Sequence, residues 1–442
     1  MGSPSHSLSP SRLGIALGVT KLTRKMIRRL GAGDGAALPG RILLLVEPRA
    51  LRLLGVGVRS AVVSGTNGKT TTTALLRAAL GGSSVCSNTE GANMDFGVAL
   101  ALAVHREMTT VPWHAPRLGA FEVDEAYLGR VGSEIRANVA VLLNLSRDQL
   151  DRNAEVRRLA TSWRSQLATM PELSVVANVD DPMVVFAAES HARVTWVAGG
   201  ANWKGDTGAC PRCHAHLRHD ESNWACTKCG LSRPAPTWWR DGRTVFHCGE
   251  QLGELALGIP GSFNLSNAVM ALAGAAELAG WDDGPTLRAA MDRMSSLRAV
   301  GGRYGRYELR DGSVTTYLAK NPAGWLEMLE LYRETASPAT TPLVLGLQAE
   351  IADGRDPSWI WDVPFESVTS ALPSPVIVTG TRALDLGVRL VVAGIEVQVE
   401  EDHHHAIRVA LGLSTSGEVI SIGNYTAFQA VRHYLSSEAS AR

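Results

Sequence analysis

Ala61-Val62-Val63-Ser64-Gly65-Thr66-Asn67-Gly68-Lys69-Thr70-Thr71-Thr72-Thr73 is the stretch that decides the fold of this 442-residue chain. Ala61-Val62-Val63 reads as a short buried strand, and Thr73 to Leu80 as an apolar-periodic helix. Strand, glycine loop and helix in that order turn a glycine pattern into a phosphate loop. Gly65, Thr66, Asn67 and Gly68 let backbone amides curl around phosphate oxygens, and the helix N-terminus adds its positive dipole end. Lys69 is placed to reach the β/γ-phosphates, and the hydroxyl of Thr70 or Thr71 to hold Mg²⁺. Val63 stands where the general pattern has its first glycine. The stretch is read as an ATP site.

Working outward, the length suits two or three domains. A composition of 45% hydrophobic and 19% charged residues excludes a largely disordered chain. Zero formal net charge gives no overall pull toward nucleic acid. No apolar run approaches the ~18–20 residues that span a bilayer, and the first residues carry no signal pattern, so the expectation is a cytoplasmic protein. Residues 1–11 read as disordered. From Arg12 to Leu30 an amphipathic basic helix is expected, with Leu13, Leu17, Leu22, Met26 and Leu30 at near-helical spacing and no acid before Asp34. Its basic face is either solvated or turned to anionic lipid or a polyphosphate. Gly14 and Gly18 weaken its first turns, and Pro39-Gly40 is read as a break.

Cys210-x-x-Cys213 and Cys226-x-x-Cys229, twelve residues apart, predict a zinc ribbon inserted at about residues 203–236, its four thiolates closing a structural tetrahedral site. Trp203, Trp224, Trp238 and Trp239 are assigned to its core, and His214, His216 and His219 to its solvent side. Cys86 and Cys248 read as packing residues. Gly119 to Glu125 reads as a buried strand ending in acids, where strand C-termini face a ligand crevice. Asp124 and Glu125 serve equally well as helix-start acids. After Ala299, strands at Leu343–Leu347, Val376–Thr379, Val397–Glu400 and Val419–Ile422 alternate with helices near Arg382–Leu390, His404–Leu411 and Ala427–Leu435. That alternation predicts a second doubly wound α/β domain. His403-His404-His405 is placed on its surface.

Several of these strings resemble the Mur ligases, ATP-dependent enzymes that join carboxylates to amines through an acyl phosphate. Ser64 to Thr71 resembles their phosphate loop, and Asn144 to Asp151 their N-x-x-x-D-H-x-D element, with Gln149 where most members have a histidine. Asn178 to Pro182, Gly261 to Ala268, Gly301-Gly302-Arg303-Tyr304 and Tyr317 to Gly324 resemble further elements of the family. The resemblance implies a central ATPase domain at 55–299 and a C-terminal Rossmann-like domain at 300–442, after a basic helical segment at 1–54. It implies Mg²⁺ on Glu122 and Thr70, with Gln149 putting a second metal position in doubt. It also implies nucleotide contacts from Asn264 and Arg303. The N-terminal segment is too short for the substrate domain of complete Mur ligases.

Ala352 to Asp362, the ribbon, Glu90 to Met94, Arg147 to Asp151 and Asn424-Tyr425-Thr426 narrow the resemblance to the MurT branch, the Mur-like subunits of lipid II isoglutaminyl synthase. The branch works with GatD, a class I glutamine amidotransferase lacking the acid of its catalytic triad. The resemblance implies that Asp356 supplies this acid, that lipid II at the inner membrane face is the substrate, and that D-glutamate becomes D-isoglutamine. Gln348-Ala349-Glu350 departs from the Asn-Asp-Asn type stretch of the branch. An ordinary Mur-type amino acid ligase and a nucleotide-gated assembly protein are the other readings left open.

Overall fold

The computed structural model describes residues 10–29, 37–88, 92–108, 117–147, 156–200, 208–220, 223–298 and 303–440. Three helices open the chain, α1 (Pro10–Arg29), α2 (Ala37–Val46) and α3 (Ala50–Gly55). Helix α1 runs through Gly14 and Gly18 unbroken. Pro39-Gly40 does not break the segment as expected. Both lie in the first turn of α2, where the missing proline N–H has no helical partner to lose.

The first sheet follows from runs that are buried on both faces, the mark of a parallel sheet covered by helices. Its elements in chain order are β1 (Val58–Ser64), α4 (Lys69–Ala79), α5 (Asp95–Met108), β2 (Arg117–Glu122), α6 (Leu128–Ile135), β3 (Val139–Leu142), α7 (Val156–Ala168), β4 (Ser174–Asn178), α8 (Pro182–Ala188) and β5 (Val194–Ala198). A small hairpin, β6 (Leu217–His219) and β7 (Trp224–Cys226), interrupts it before β8 (Trp238–Asp241), β9 (Thr244–His247) and β10 (Glu250–Glu254). Helices α9 (Ser262–Ala279) and α10 (Gly284–Ser295) close the unit. The strand order is β10-β9-β8-β5-β4-β3-β1-β2, parallel from β2 to β8 and antiparallel beyond. The chain leaves β1 toward β2 on one side and returns to β3 on the other, so the crevice lies at the C-terminal end of β1. Val63 pairs in register with Glu122, which brings the end of β2 beside the phosphate loop. One face of the sheet is covered by α4, α9 and α10, the other by α1 to α3 and α5 to α8.

The second sheet comprises β11 (Tyr304–Leu309), β12 (Gly312–Leu318), α11 (Pro322–Thr335), β13 (Leu343–Gly346), β14 (Val376–Thr379), α12 (Ala383–Val392), β15 (Val397–Val399), α13 (His403–Leu413), β16 (Glu418–Gly423) and α14 (Tyr425–Ser440). Its order is β11-β12-β16-β13-β14-β15, with all pairs parallel except β11–β12. The C-terminal ends of β12, β13, β14 and β16 therefore share one edge.

Three expectations are corrected by packing. Of the tryptophans assigned to the ribbon, only Trp224 joins the cysteine cluster; Trp238 lies in the opposite core of the main sheet, Trp239 stacks on Phe246, and Trp203 lies outside the described residues. Cys248 is exposed, in a tight turn at φ +49°, and packs nothing, whereas Cys86 is buried. His403 is half-buried, whereas His404 and His405 are exposed as expected. The Gln348 amide lies 2.6 Å from its Nε2 and Thr379 Oγ1 lies 3.2 Å from its Nδ1, and burial lowers its pKa below the ordinary value.

Candidate active site

The glycine loop takes its shape from two positions that reject a side chain. Gly65 has φ +147°, and a Cβ there would lie 2.9 Å from that of Leu143. Gly68 has φ +85°, with Asn267 Oδ1 2.5 Å from where a Cβ would stand. The loop is laced to the segment after β3. Thr66 N–H donates to the Asn144 carbonyl at 2.9 Å, and its hydroxyl donates to the Ser146 carbonyl at 3.1 Å. Asn67 N–H donates to Asn144 Oδ1 at 2.9 Å, and Asn144 returns a bond to the Asn67 carbonyl at 3.0 Å. Gly68 caps α4 without a side-chain acceptor, so the first-turn amides of that helix receive no side-chain cap.

Lys69 is buried and folds back over the loop, donating to the Gly65 carbonyl at 2.5 Å and the Thr66 carbonyl at 3.2 Å. Its Nζ lies 3.2 Å from the Glu125 carboxylate. Glu125, read equally as a helix-start acid, is thus the counter-charge of the loop lysine. Asp124 closes a turn by accepting from the Ala126 N–H. Glu122 is 4% exposed, and its carboxylate has no protein partner among the described residues, although its backbone is fixed by Asn88. A buried carboxylate that no protein donor satisfies fits a cation ligand. Thr70 Oγ1 accepts from Arg303 at 3.2 Å, and Thr71 lines the same cleft.

Arg303 comes from the second unit, so the cleft is shared. Asn67 and Asn321 exchange carboxamide bonds at 3.3 and 3.1 Å, and Asn321 also caps α11. One cavity of about 800 Å³ is lined by Thr70, Thr71, Asn264, Arg303 and Lys320; a second, of about 1020 Å³, by Ser146, Asn178, Asp180 and Asp181. They meet at Asn67, Phe263, Asn267 and Glu327. Asn264 is buried, its amide donating to the Pro260 carbonyl at 2.5 Å. Asp181 caps α8 and accepts from the Leu145 N–H at 2.7 Å. Asp148 to Asp151, including Gln149, and the Glu90-Gly91 and Gly301-Gly302 pairs lie outside the described residues.

Glu327, on α11, is a site residue that the sequence reading missed. Burial, and then the charge of Glu330, push its pKa up to about 7. A carboxyl held above its unfolded value contributes stability below the unfolded pKa, and that contribution is lost as pH rises toward 7. Glu327→Gln is therefore expected to raise unfolding stability near pH 8 by on the order of 1–3 kcal/mol, with no gain near pH 4. Thermal melts of both proteins across that range check it.

The four ribbon sulfurs, of Cys210, Cys213, Cys226 and Cys229, lie within 4.8 Å of one another. His214 and His216 point to solvent and His219 is half-buried, and none joins the cluster. The hairpin is clasped to the main sheet. Trp224 Nε1 donates to the Val179 carbonyl at 2.9 Å, and Arg233 grips Asp180 Oδ1 with two bonds at 2.8 and 3.0 Å.

The Asp353 to Asp362 segment leaves the C-terminal edge of β13, the edge that carries Lys320 and Asn321 into the cleft. Its three acids part company. Asp353 is buried and accepts from the Thr426 N–H at 2.9 Å and from the Thr426 hydroxyl. Asp362 pairs with Arg147 at 3.0 Å, tying the segment to the end of β3. Asp356 is exposed, with Oδ1 accepting from the Ser358 N–H at 2.9 Å. That backbone bond, followed by the Ser358 hydroxyl and the charge of Arg382, holds its carboxyl below the ordinary range. The variant Gln348-Ala349-Glu350 stretch is spent on structure, with Gln348 paired to Asn424 and Glu350 boxed with Asp353.

The family model described as Mur ligase middle domain matches residues 63–275, and that described as MurT ligase C-terminal matches 318–428. The chain is 28% identical over 441 residues to the MurT subunit of lipid II isoglutaminyl synthase (glutamine-hydrolyzing) from Streptococcus pneumoniae, covering 93% of this chain and 94% of that one. It is 29% identical over 432 residues to the subunit of the same name from Staphylococcus aureus, covering 93% and 95%. The chain is a MurT-type member of the Mur ligase family. Two solved structures share its fold. A pseudomurein peptide ligase type C from Methanothermus fervidus superposes with a TM-score of 0.64 at 18% identity, covering 86% of this chain and 78% of that one. The folylpolyglutamate synthase of Mycobacterium tuberculosis, complexed with ADP, gives 0.58 at 18%, covering 88% and 93%. As a Mur ligase family member the chain is a ligase; Thr70, Asn264 and Arg303 line one cleft, Lys69 and Glu122 are buried beside the glycine loop, and Asp356 is exposed.

Proposed function

We propose that this chain is the ligase half of a glutamine-dependent amidating enzyme, converting the D-glutamate α-carboxyl of lipid II to the carboxamide. ATP binds in the interdomain cleft. The first-turn amides of α4 and Lys69 hold its phosphates, and Asn264 and Arg303 hold the rest of the nucleotide. Mg²⁺ on Glu122 and Thr70 would offset phosphate charge. The substrate carboxylate oxygen attacks the γ-phosphorus, ADP leaves, and an acyl phosphate forms. Ammonia then attacks the acyl carbon, phosphate departs, and a proton is lost as the carbon–nitrogen bond forms. Lys69 supports charge on the transferred phosphoryl group in the first step.

Ammonia comes, in this reading, from a GatD-type glutaminase whose histidine is oriented by Asp356. The observation that carries the reading is the division of labour among the three acids. Asp353 is buried and bonded to Thr426, Asp362 is exposed but ion-paired with Arg147, and Asp356 is exposed with no ion pair among the described residues, its carboxylate aimed by the Ser358 N–H. The test is ATP- and glutamine-dependent amidation of lipid II by the chain co-purified with its glutaminase, followed by mass spectrometry. Failure of amidation even with ATP and ammonium would overturn it.

The cysteine cluster is read as a structural zinc ribbon. Four thiolate donors this close suit a tetrahedral ion and leave no open position for catalysis. The unit from about 55 to 299 is taken as the ATPase domain, and 300–442 as a Rossmann-like C-terminal domain. Metal analysis of protein purified without chelators is expected to give about one zinc per chain. Cys210→Ser should lose that zinc and lower the melting temperature; wild-type protein without zinc would end the assignment.

A further inference from the structure

Helix α1 leaves an apolar stripe uncovered. Ile15, Val19, Leu22 and Met26 are 61%, 39%, 61% and 55% exposed. At 100° per residue they fall within an arc of about 60°. The opposite face, with Leu13, Ala16 and Leu17, packs into the core shared with α2. Neighbouring α2 exposes Leu38 and Leu45, at 53% and 79%. Single exposed apolar side chains are ordinary, but a stripe running roughly 16 Å along one helix is a surface waiting for a partner.

Charge selects that partner. Lys21, Lys25 and Arg29 are exposed along one flank of the stripe and make no ion pair among the described residues. Arg24 pairs with Glu107 at 3.7 Å, and Arg12 donates to the Val46 carbonyl, so those two are used internally. No acid occurs between Arg12 and Asp34. Two copies docked stripe to stripe in antiparallel order would bring these cations together, which disfavours that self-association. Apolar residues facing outward beside lysines are the arrangement of a helix lying in a bilayer interface. No helix among the described residues is long and apolar enough to cross a membrane, so the contact would be peripheral.

We propose that the exposed face of α1 docks the protein on an anionic lipid bilayer. The choice of occupant draws on the function proposed above, because a lipid-linked substrate is presented at a membrane. The docking itself is measured without substrate or ATP, so its failure and the failure of that reading are distinguishable.

The full chain is sedimented with vesicles of phosphatidylglycerol and phosphatidylcholine, and with vesicles of phosphatidylcholine alone. Binding is expected to the first and not the second, weakening as salt is raised. Lys21→Ala with Lys25→Ala should weaken it about fivefold per lysine. Leu22→Ser with Met26→Ser should weaken it at least ~10-fold, with unchanged melting because both side chains face outward. Both variants should retain ammonium-driven amidation of detergent-solubilised substrate. Absence of vesicle binding, equal binding to both compositions, or indifference to both double variants would overturn the proposal. So would a dimer in solution that Leu22→Ser with Met26→Ser dissolves, since the stripe would then belong to a second copy.

Discussion

Asp356→Asn is expected to lower glutamine hydrolysis by the assembled complex ~10²–10⁴-fold while leaving ammonium-driven amidation near wild type. The magnitude follows from the loss of a charge that fixes a histidine tautomer and favours its imidazolium. The substitution is well isolated. Asparagine keeps the oxygen that accepts from the Ser358 N–H at 2.9 Å, so the turn should persist. The side chain is exposed and its loss removes little contact area. Asp353→Asn is the contrasting variant. It disturbs a buried carboxylate bonded to Thr426 and should lower stability before it touches chemistry. Paired assays of glutaminase rate and ammonium-driven amidation read the two outcomes. An unchanged glutaminase rate in the asparagine variant would remove Asp356 from the partner's site, and equal loss of both activities would place it in the ligase site instead.

Lys69→Ala is expected to lower amidation by at least ~10²-fold whether ammonia or glutamine is the donor. The lysine bridges the loop carbonyls of Gly65 and Thr66 to the carboxylate of Glu125, so its loss strips the phosphate site of a cation and strands a nearly buried acid. Breaking such a pair costs ~3–5 kcal/mol at worst, so folding needs its own measurement. Lys69→Ala combined with Glu125→Gln removes the stranded charge. If the double variant melts like wild type yet remains inactive, the defect is catalytic. Normal turnover in either variant would exclude this loop as the reaction site.

What could be read from sequence was what local physics determines. The loop between β1 and α4 declares itself because left-handed glycines, a helix N-terminus and a lysine must be neighbours in the chain to cradle phosphate. The second sheet was legible because each strand–helix alternation is its own short-range signal, and β14 falls on Val376–Thr379 as expected. The two cysteine pairs likewise carry their spacing on their face. Contacts between distant segments were legible only where the family resemblance carried them, as for Arg303 and Thr70. Nothing near Asn67 announces Asn321, 254 residues away, and nothing in the Glu125 neighbourhood distinguishes a helix-start acid from the partner of Lys69. Glu327 looks like any helix-surface glutamate until the facing unit buries it. Trp238 was misplaced for the same reason: adjacency to the ribbon in sequence said nothing about which side of β8 the indole would take.

If the cysteine hairpin holds zinc and the cleft holds ATP, as proposed, the clasp between hairpin and main sheet makes the two binding equilibria reciprocal. Arg233 holds Asp180, a wall of the cavity lined by Ser146 and Asn178, and Trp224 holds Val179 beside it. An ion that orders the hairpin therefore also orders part of the pocket, and a nucleotide that needs the pocket ordered must favour the ion in return. Linkage requires the same factor in both directions. Saturating ATP should then raise the chelator concentration needed to strip the zinc at equilibrium, and stripped protein should bind ATP more weakly by the ratio that the chelator titration reports.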